Sequence, residues 1–185
     1  VCDELGIKHA VRKEDLSNLE IMSFASFGRA CEVPEHLVDE FVQSCLKRFA
    51  AKKSPPAIFN GLSTIIRSFA INNKLAIITT NSSQNVNAFL VKHGLDECFH
   101  AVYGVDIPGS KAQKISIARN RFSADTKRES VFMIGDSLSD IRAAKEVSVT
   151  SIAVTWGHQS LEYLLRGDPD YVVSFPHELF EIIEK

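Results

Sequence analysis

No apolar run in this chain approaches the roughly 18–20 residues that a membrane-spanning helix needs. No block of five like charges occurs. The 21 basic and 23 acidic residues leave a net charge of −2, so the concentrated basic surface that nucleic-acid binding requires is missing. The four cysteines, Cys2, Cys31, Cys45 and Cys98, form no C-x-x-C pair and stand far apart. That spacing suits neither a disulfide framework nor a clustered zinc site, and reads as four reduced thiols. The six histidines are scattered without metal-like spacing and read as structural or surface residues. Internal repeats, low-complexity tracts and an initiator Met are also missing, and the acidic start Val1-Cys2-Asp3-Glu4 is not a signal peptide. These absences favour a cytoplasmic protein with no nucleic-acid partner and no membrane contact.

What is present is an ordinary globular composition: 185 residues, 45% hydrophobic and 24% charged. That is enough for one core, or one core with a small appendage. The periodicity changes near residue 55. Before it, everything reads helical. Val1 to Leu5 reads as a helix tail ended by Gly6, and Glu14 to Met22 as a further helix. From Pro34 onward, Leu37, Val38, Phe41, Val42, Cys45, Leu46 and Phe49 recur at helical spacing. Lys52-Lys53-Ser54-Pro55-Pro56 reads as a linker. The expected division is a helical subdomain over 1–54 and an α/β core over 55–185.

In the second part, short apolar runs alternate with helical patterns. Leu75–Ile78, Val131–Ile134 and Ser151–Val154 read as buried parallel strands, and Ala101–Tyr103 and Tyr171–Val173 as weaker ones. Between and after them lie helical stretches with Leu62, Ile65, Ile66 and Phe69, with Val86, Phe89 and Leu90 up to Gly94, over Lys111–Phe122, over Asp140–Val147 and over Glu178–Ile183. This alternation predicts an α/β fold, a Rossmann-like parallel sheet with flanking helices.

In such sheets the ligand site lies beyond the carboxyl ends of the strands. After Leu75–Ile78 come Thr79, Thr80 and Asn81. After Val131–Ile134 comes Gly135-Asp136-Ser137-Leu138-Ser139-Asp140, and Gly109-Ser110-Lys111 opens the helix between them. Two carboxylates four residues apart, with a Gly allowing close approach, suit a hard cation such as Mg²⁺. A hydroxyl and backbone N–H for phosphoryl oxygens, an ammonium for their charge and carboxylates for a metal together suggest phosphoryl chemistry. Each group has a plainer reading. Asp136 and Asp140 suit a helix start, Thr80 is a common strand-end residue, and Lys111 has a rival in Lys114.

The order of these segments resembles the haloacid-dehalogenase superfamily of phosphohydrolases, in its phosphoglycolate-phosphatase-like branch. Leu75–Asn81 is similar to the family's second motif, Lys111 to its third-motif lysine, and Val131–Asp140 to its acidic fourth motif. Ala153–Gly157 and Tyr171–Val173 also resemble this branch, and 1–54 resembles its helical cap. One departure is Pro108-Gly109-Ser110-Lys111-Ala112, where a proline-rich stretch often surrounds the lysine. The resemblance implies a Mg²⁺-dependent phosphatase acting on a small phosphorylated metabolite such as phosphoglycolate. In it Thr80, Lys111 and Asp140 would be catalytic, Asn81 would bind substrate, and Asp136 and Asp140 would hold Mg²⁺.

The larger departure is that the family's first motif, a strand ending in Asp-x-Asp that carries the nucleophile, does not occur. Asp3-Glu4 and Glu14-Asp15 are the only early acidic pairs, and neither follows an apolar strand. The resemblance therefore implies about 20–25 residues upstream, one strand and one helix, and a functional protein of about 205–210 residues. Residues 1–185 alone are then expected to be inactive and to leave the centre of the sheet empty. Each buried unpaired backbone group costs on the order of 1–3 kcal/mol, enough over one strand to offset a typical stability of about 5–15 kcal/mol. A closed five-stranded sheet made only from residues 1–185 would contradict this. The alternative is a catalytically inactive relative, a binding or regulatory module; halide displacement on a 2-haloacid is a third use of the fold.

Overall fold

The computed structural model describes residues 1–9, 11–12, 19, 23–51, 56–122 and 131–184, with only the backbone of 49 and 50. Apart from Leu19, the helix expected over Glu14–Met22 lies outside the described residues, as does the 52–55 part of the expected linker.

The helical part begins with a single 3-10 turn, Asp3–Leu5, that ends at Gly6 in the left-handed region (φ 69°). Helix α1 (Phe24–Ala30) starts at Ser23, whose side chain accepts the Ser26 N–H. A 3-10 turn over Glu35–Leu37 then leads into α2 (Val38–Ala50). Pro34 stands just outside the helix, where its missing N–H costs nothing. Cys31, Val33, Val38 and Phe41 form the buried centre of this part, joined by Leu5, Phe27, Val42 and Cys45. Gly28 lets α1 approach closely, because a Cβ there would touch the Phe41 ring at 2.9 Å. Leu46, read as part of the same stripe, is exposed. All four cysteines are free thiols.

The remainder is α/β. Its elements are α3 (Leu62–Asn72), β1 (Ala76–Ile78), α4 (Ser83–His93), β2 (Ala101–Tyr103), α5 (Lys111–Phe122), β3 (Phe132–Gly135), α6 (Leu138–Glu146), β4 (Thr150–Val154), α7 (Leu161–Leu165), β5 (Tyr171–Val173) and α8 (Glu178–Ile183). All strand pairs are parallel: β1 with β2, β3 with β4, and β4 with β5. The short helix α7 was not expected from the periodicity. Its single turn and a half carries only Leu164 into the core.

The five strands do not close into one sheet. They form a two-stranded piece, β1-β2, and a three-stranded piece, β3-β4-β5, and among the described residues no strand pairs β1 with β3. The helices nevertheless hold both pieces in one layer. On one face α3 sends Ile65 and Phe69 against Ile152, Val154 and Val173, while its Ile66 and Ala70 pack with Ile77 and Val102. On the other face Ile78 of β1 and Met133 of β3 meet the same group, built from Ala112 and Ile115 of α5 and Ala143 and Ala144 of α6. So β1 is the neighbour of β3 across the gap, and the carboxyl ends of both strands open on the same side. Among the described residues no helix is long and apolar enough to cross a membrane.

Candidate functional site

The site is built where β1 and β3 run out. After β1 the chain turns sharply. Thr79 N–H donates to the Tyr103 carbonyl at 3.0 Å, and Asn81 N–H donates to Thr79 Oγ1 at 3.1 Å. Ser82 then caps α4 by accepting the Asn85 N–H at 3.3 Å. Thr80 is left exposed at the tip of this turn.

After β2 the chain stays close to the start of α4. Gly104 N–H donates to Ser83 Oγ at 3.1 Å, and Ser83 N–H donates to Asp106 Oδ1 at 2.6 Å. That backbone donor at the helix start holds the Asp106 carboxyl below its ordinary value. A side chain at Gly104 would run into Ser83 and Asp106.

Helix α5 then supplies two lysines one turn apart. Lys111 Nζ reaches across to α6 and donates to Asp140 Oδ1 at 2.5 Å and to Ser139 Oγ at 3.0 Å. Lys114 is 6% exposed and donates to the Gly104 carbonyl at 2.8 Å. The geometry thus separates two lysines that sequence spacing left as rivals: only Lys111 meets the acidic segment. Both line a cavity of about 200 Å³, together with Ile78, Thr79, Thr80, Val105 and Gly109.

The acidic segment opens α6. Asp140, the third residue of the helix, reaches back, and its Oδ2 accepts the Ser137 N–H at 3.1 Å and the Ser137 hydroxyl at 2.6 Å. This is the returning half of a capping box, shortened by one methylene. Asp140 is 7% exposed and both its oxygens are engaged, one by Lys111 and one by Ser137. Asp136 sits one turn earlier, and its Oδ2 accepts the His158 N–H at 2.8 Å. Two glycines bring the backbone in this close. A Cβ at Gly135 would overlap the Asp140 carboxyl, and one at Gly157 would overlap the Asp136 carboxyl.

The structure therefore brings Thr80, Lys111 and Asp140 to one place, through a shared cavity and a direct ion pair. Asp136 lies four residues before Asp140, but its carboxylate is turned to the loop at Gly157 and His158. Asn81 is outside the cavity lining. Its Oδ1 accepts from Ser82 N–H at 2.8 Å and Asn85 Nδ2 at 3.1 Å, and its carbonyl accepts from Val105 N–H. Among the described residues no group of three or more His, Cys, Asp or Glu side chains stands ready to hold a metal. The donor chemistry still suits Mg²⁺, which takes one or two carboxylates and keeps several waters. Asp136 Oδ1 has the freer position, while Asp140 is committed to Lys111 and Ser137.

Sequence reasoning passed over Ser137, Ser139 and the Gly157–Gln159 loop. Ser137 carries a local signal, the Ser-x-x-acid spacing of a capping box. The loop carries none, because its contacts to the acidic segment span 21 and 22 residues.

Comparisons with known proteins place the chain's fold and family. A phosphoglycolate phosphatase of Synechococcus elongatus is 32% identical over 111 residues, 59% of this chain and 50% of that protein. The pyrophosphatase PpaX of Halalkalibacterium halodurans is 29% identical over 60% of this chain and 52% of that protein. The matched stretch thus spans about half the length of these curated relatives. Among solved structures, a haloacid dehalogenase-like family hydrolase from Streptococcus pneumoniae superposes with a TM-score of 0.82 at 22% identity, covering 98% of this chain and 85% of that one. The family model for the haloacid dehalogenase-like hydrolases matches residues 1–154. With its strand-end residues, its parallel strands and this match, the chain belongs to the haloacid dehalogenase-like hydrolase family.

Proposed function

We propose that the protein is a Mg²⁺-dependent phosphohydrolase acting on a small phosphorylated metabolite, with a helical cap over residues 1–54 and a core over 55–185. The observation that carries this is the Lys111–Asp140 ion pair beside Thr80, at the mouth of the gap between β1 and β3. An ammonium held in place by a buried carboxylate, next to the exposed Thr80, suits a phosphoryl group.

Each residue then has a task. Thr80 donates its hydroxyl to a phosphoryl oxygen. Asn81 contributes its backbone N–H only by exchanging its present partner, Thr79 Oγ1. Lys111 neutralises phosphoryl charge, and Asp140 orients Lys111. Asp136 holds Mg²⁺, aided by the loop amide that fixes its other oxygen. Bound there, Mg²⁺ would supply positive charge to the transferring group. The nucleophile is an aspartate on a strand outside residues 1–185 that fills the gap between β1 and β3. Its oxygen bonds to phosphorus as the bond to the leaving alcohol breaks, and water then cleaves the aspartyl-phosphate. Named relatives act on phosphoglycolate or pyrophosphate, so compounds of that size are the substrates to try first. The protein works in the cytoplasm, as a monomer or homodimer.

The test is an assay of the chain, produced with whatever its gene encodes upstream of Val1, on a general phosphate ester with and without Mg²⁺. Turnover that needs Mg²⁺ and falls at least about 100-fold in Asp136→Asn is expected. No turnover, or turnover indifferent to that substitution, sinks the reading and favours a binding module.

A further inference from the structure

Gln159 is 2% exposed, one of the few polar side chains so deeply buried here. Its amide is used at both ends. Oε1 accepts the N–H of Leu138, the first residue of α6, at 2.5 Å. Nε2 donates to the carbonyl of Leu19, in the helical part of the chain. The amide orientation follows from its partners, since Leu138 N–H needs an acceptor and the Leu19 carbonyl needs a donor. The backbone around it grips Asp136. Gln159 N–H donates to the Asp136 carbonyl at 3.2 Å, His158 N–H takes Asp136 Oδ2, and Gly157 abuts the same carboxyl. Leu138 N–H is one of the donors that a helix start leaves without an internal partner. One side chain therefore ties down the amide between Asp136 and Asp140 and joins it to a backbone carbonyl about 120 residues earlier in the chain.

We infer that Gln159 is a positioning residue that sets the acidic segment Asp136–Asp140 and couples it to the helical part of the chain. A shift of the Leu19 carbonyl pulls on Nε2, and the same rigid amide passes the movement to Leu138 N–H. With residues 1–54 as the proposed cap, seating that cap and arranging the proposed metal-binding carboxylates are then one linked event. A Gln chosen only to fill space has no need of two partners from segments so far apart, and burying an amide with either end unmet is costly.

The kinetic half of this inference rests on the proposed phosphohydrolase activity; the structural half does not. Two variants separate the bonds. Gln159→Met keeps the volume and removes both. Gln159→Glu keeps an acceptor for Leu138 and removes the donor to Leu19. Amide exchange across 137–141 is measured on the chain made with its upstream sequence. It is expected to quicken about tenfold in Gln159→Met and to stay within about twofold of the parent in Gln159→Glu, the difference of one buried hydrogen bond. In the phosphatase assay, the Mg²⁺ concentration for half-maximal rate is expected to rise about fivefold in Gln159→Met. KM for the ester is expected to rise in both variants. Unchanged exchange in Gln159→Met overturns the positioning role. Equal exchange in the two variants overturns the role given to Oε1, and a KM for the ester unchanged in Gln159→Glu overturns the coupling. If no variant and no parent turns over, the functional reading has failed, and exchange alone still decides whether Gln159 holds Leu138.

Discussion

The two pieces of the sheet are built from similar sequence and end in different states. Ala76-Ile77-Ile78 of β1 is as apolar as Ser151-Ile152-Ala153-Val154 of β4. Yet every residue from Ser151 to Val154 is buried, while all three of β1 are only half-buried. Both strands have helices on their faces, so composition and face cover do not explain this. Pairing does. β4 has a partner on each side, β3 and β5, whereas among the described residues β1 pairs with β2 alone and turns an unpaired edge toward β3. Ile134 on β3, across the same gap, is 38% exposed for the same reason. A parallel strand is protected by its neighbours in the sheet as much as by the layers above and below.

The ion pair that spans the two pieces offers the sharpest way to test this comparison. Lys111→Met removes a side chain that joins α5 to the acidic segment through Asp140 and Ser139. We expect kcat/KM to fall by about 10²–10³, with the far-ultraviolet circular dichroism unchanged. Activity within tenfold of the parent would mean that the two pieces do not cooperate in chemistry.

The next effect is on stability. Ile152→Ala empties a fully buried position at the centre of the paired piece, and is expected to cost about 2–5 kcal/mol in urea unfolding. Ile77→Ala should cost less than half as much in residues 1–185, because its site is already open. Equal costs would break the comparison. When the chain is made with its upstream sequence, the Ile77 cost should rise toward the Ile152 cost if a strand enters the gap.

Ser137→Ala tests the start of α6, on the paired side. It removes a hydroxyl that donates to Asp140 and leaves Lys111 in place. About 1 kcal/mol of stability should be lost, with a smaller drop in activity than Lys111→Met. The smallest effect concerns a clip that only the three-stranded piece possesses. Asp170, just before β5, accepts the hydroxyl of Ser151 at 2.6 Å and its N–H at 2.8 Å, and pairs with Lys145 at 3.1 Å. Chiefly the Ser151 hydroxyl and N–H pull its pKa down from an ordinary 3.8 to about 2. A lowered carboxyl stabilises the fold above the unfolded pKa and ceases to do so as pH drops through the folded one. Parent and Asp170→Asn should therefore differ in melting temperature at pH 6 and converge between about pH 4 and pH 2. A gap that does not narrow between about pH 4 and pH 2 would refute the role.

Much of this was legible in the sequence, for identifiable reasons. Lys111–Phe122, Ala101–Tyr103, Tyr171–Val173 and Glu178–Ile183 have the boundaries that their patterns predict, because local signals end them. The Asp136–Asp140 spacing was visible since the two residues stand only four apart, one just after β3 and one in the first turn of α6. The sequence has no apolar strand with an acidic end early in the chain, and among the described residues no strand pairs β1 with β3. What stayed hidden depends on distant contact. No local pattern shows that Gly157 makes room for Asp136, or that Gln159 spans two segments. Lys111 and Lys114 share a helix and a spacing, and only tertiary placement gives one the carboxylate and the other a carbonyl. Leu46 fits its stripe by period and is exposed all the same, since periodicity marks a face without fixing how far the cover extends.

The bare edges of β1 and β3 also bear on how residues 1–185 behave in a tube. Each presents a row of unanswered peptide groups, a template for any extended backbone of suitable length. Two copies can answer each other edge to edge, and pairing of that kind has no built-in stopping number. Sedimentation of this polypeptide should therefore depend on its concentration, and a short extended peptide that fits the gap should suppress the growth.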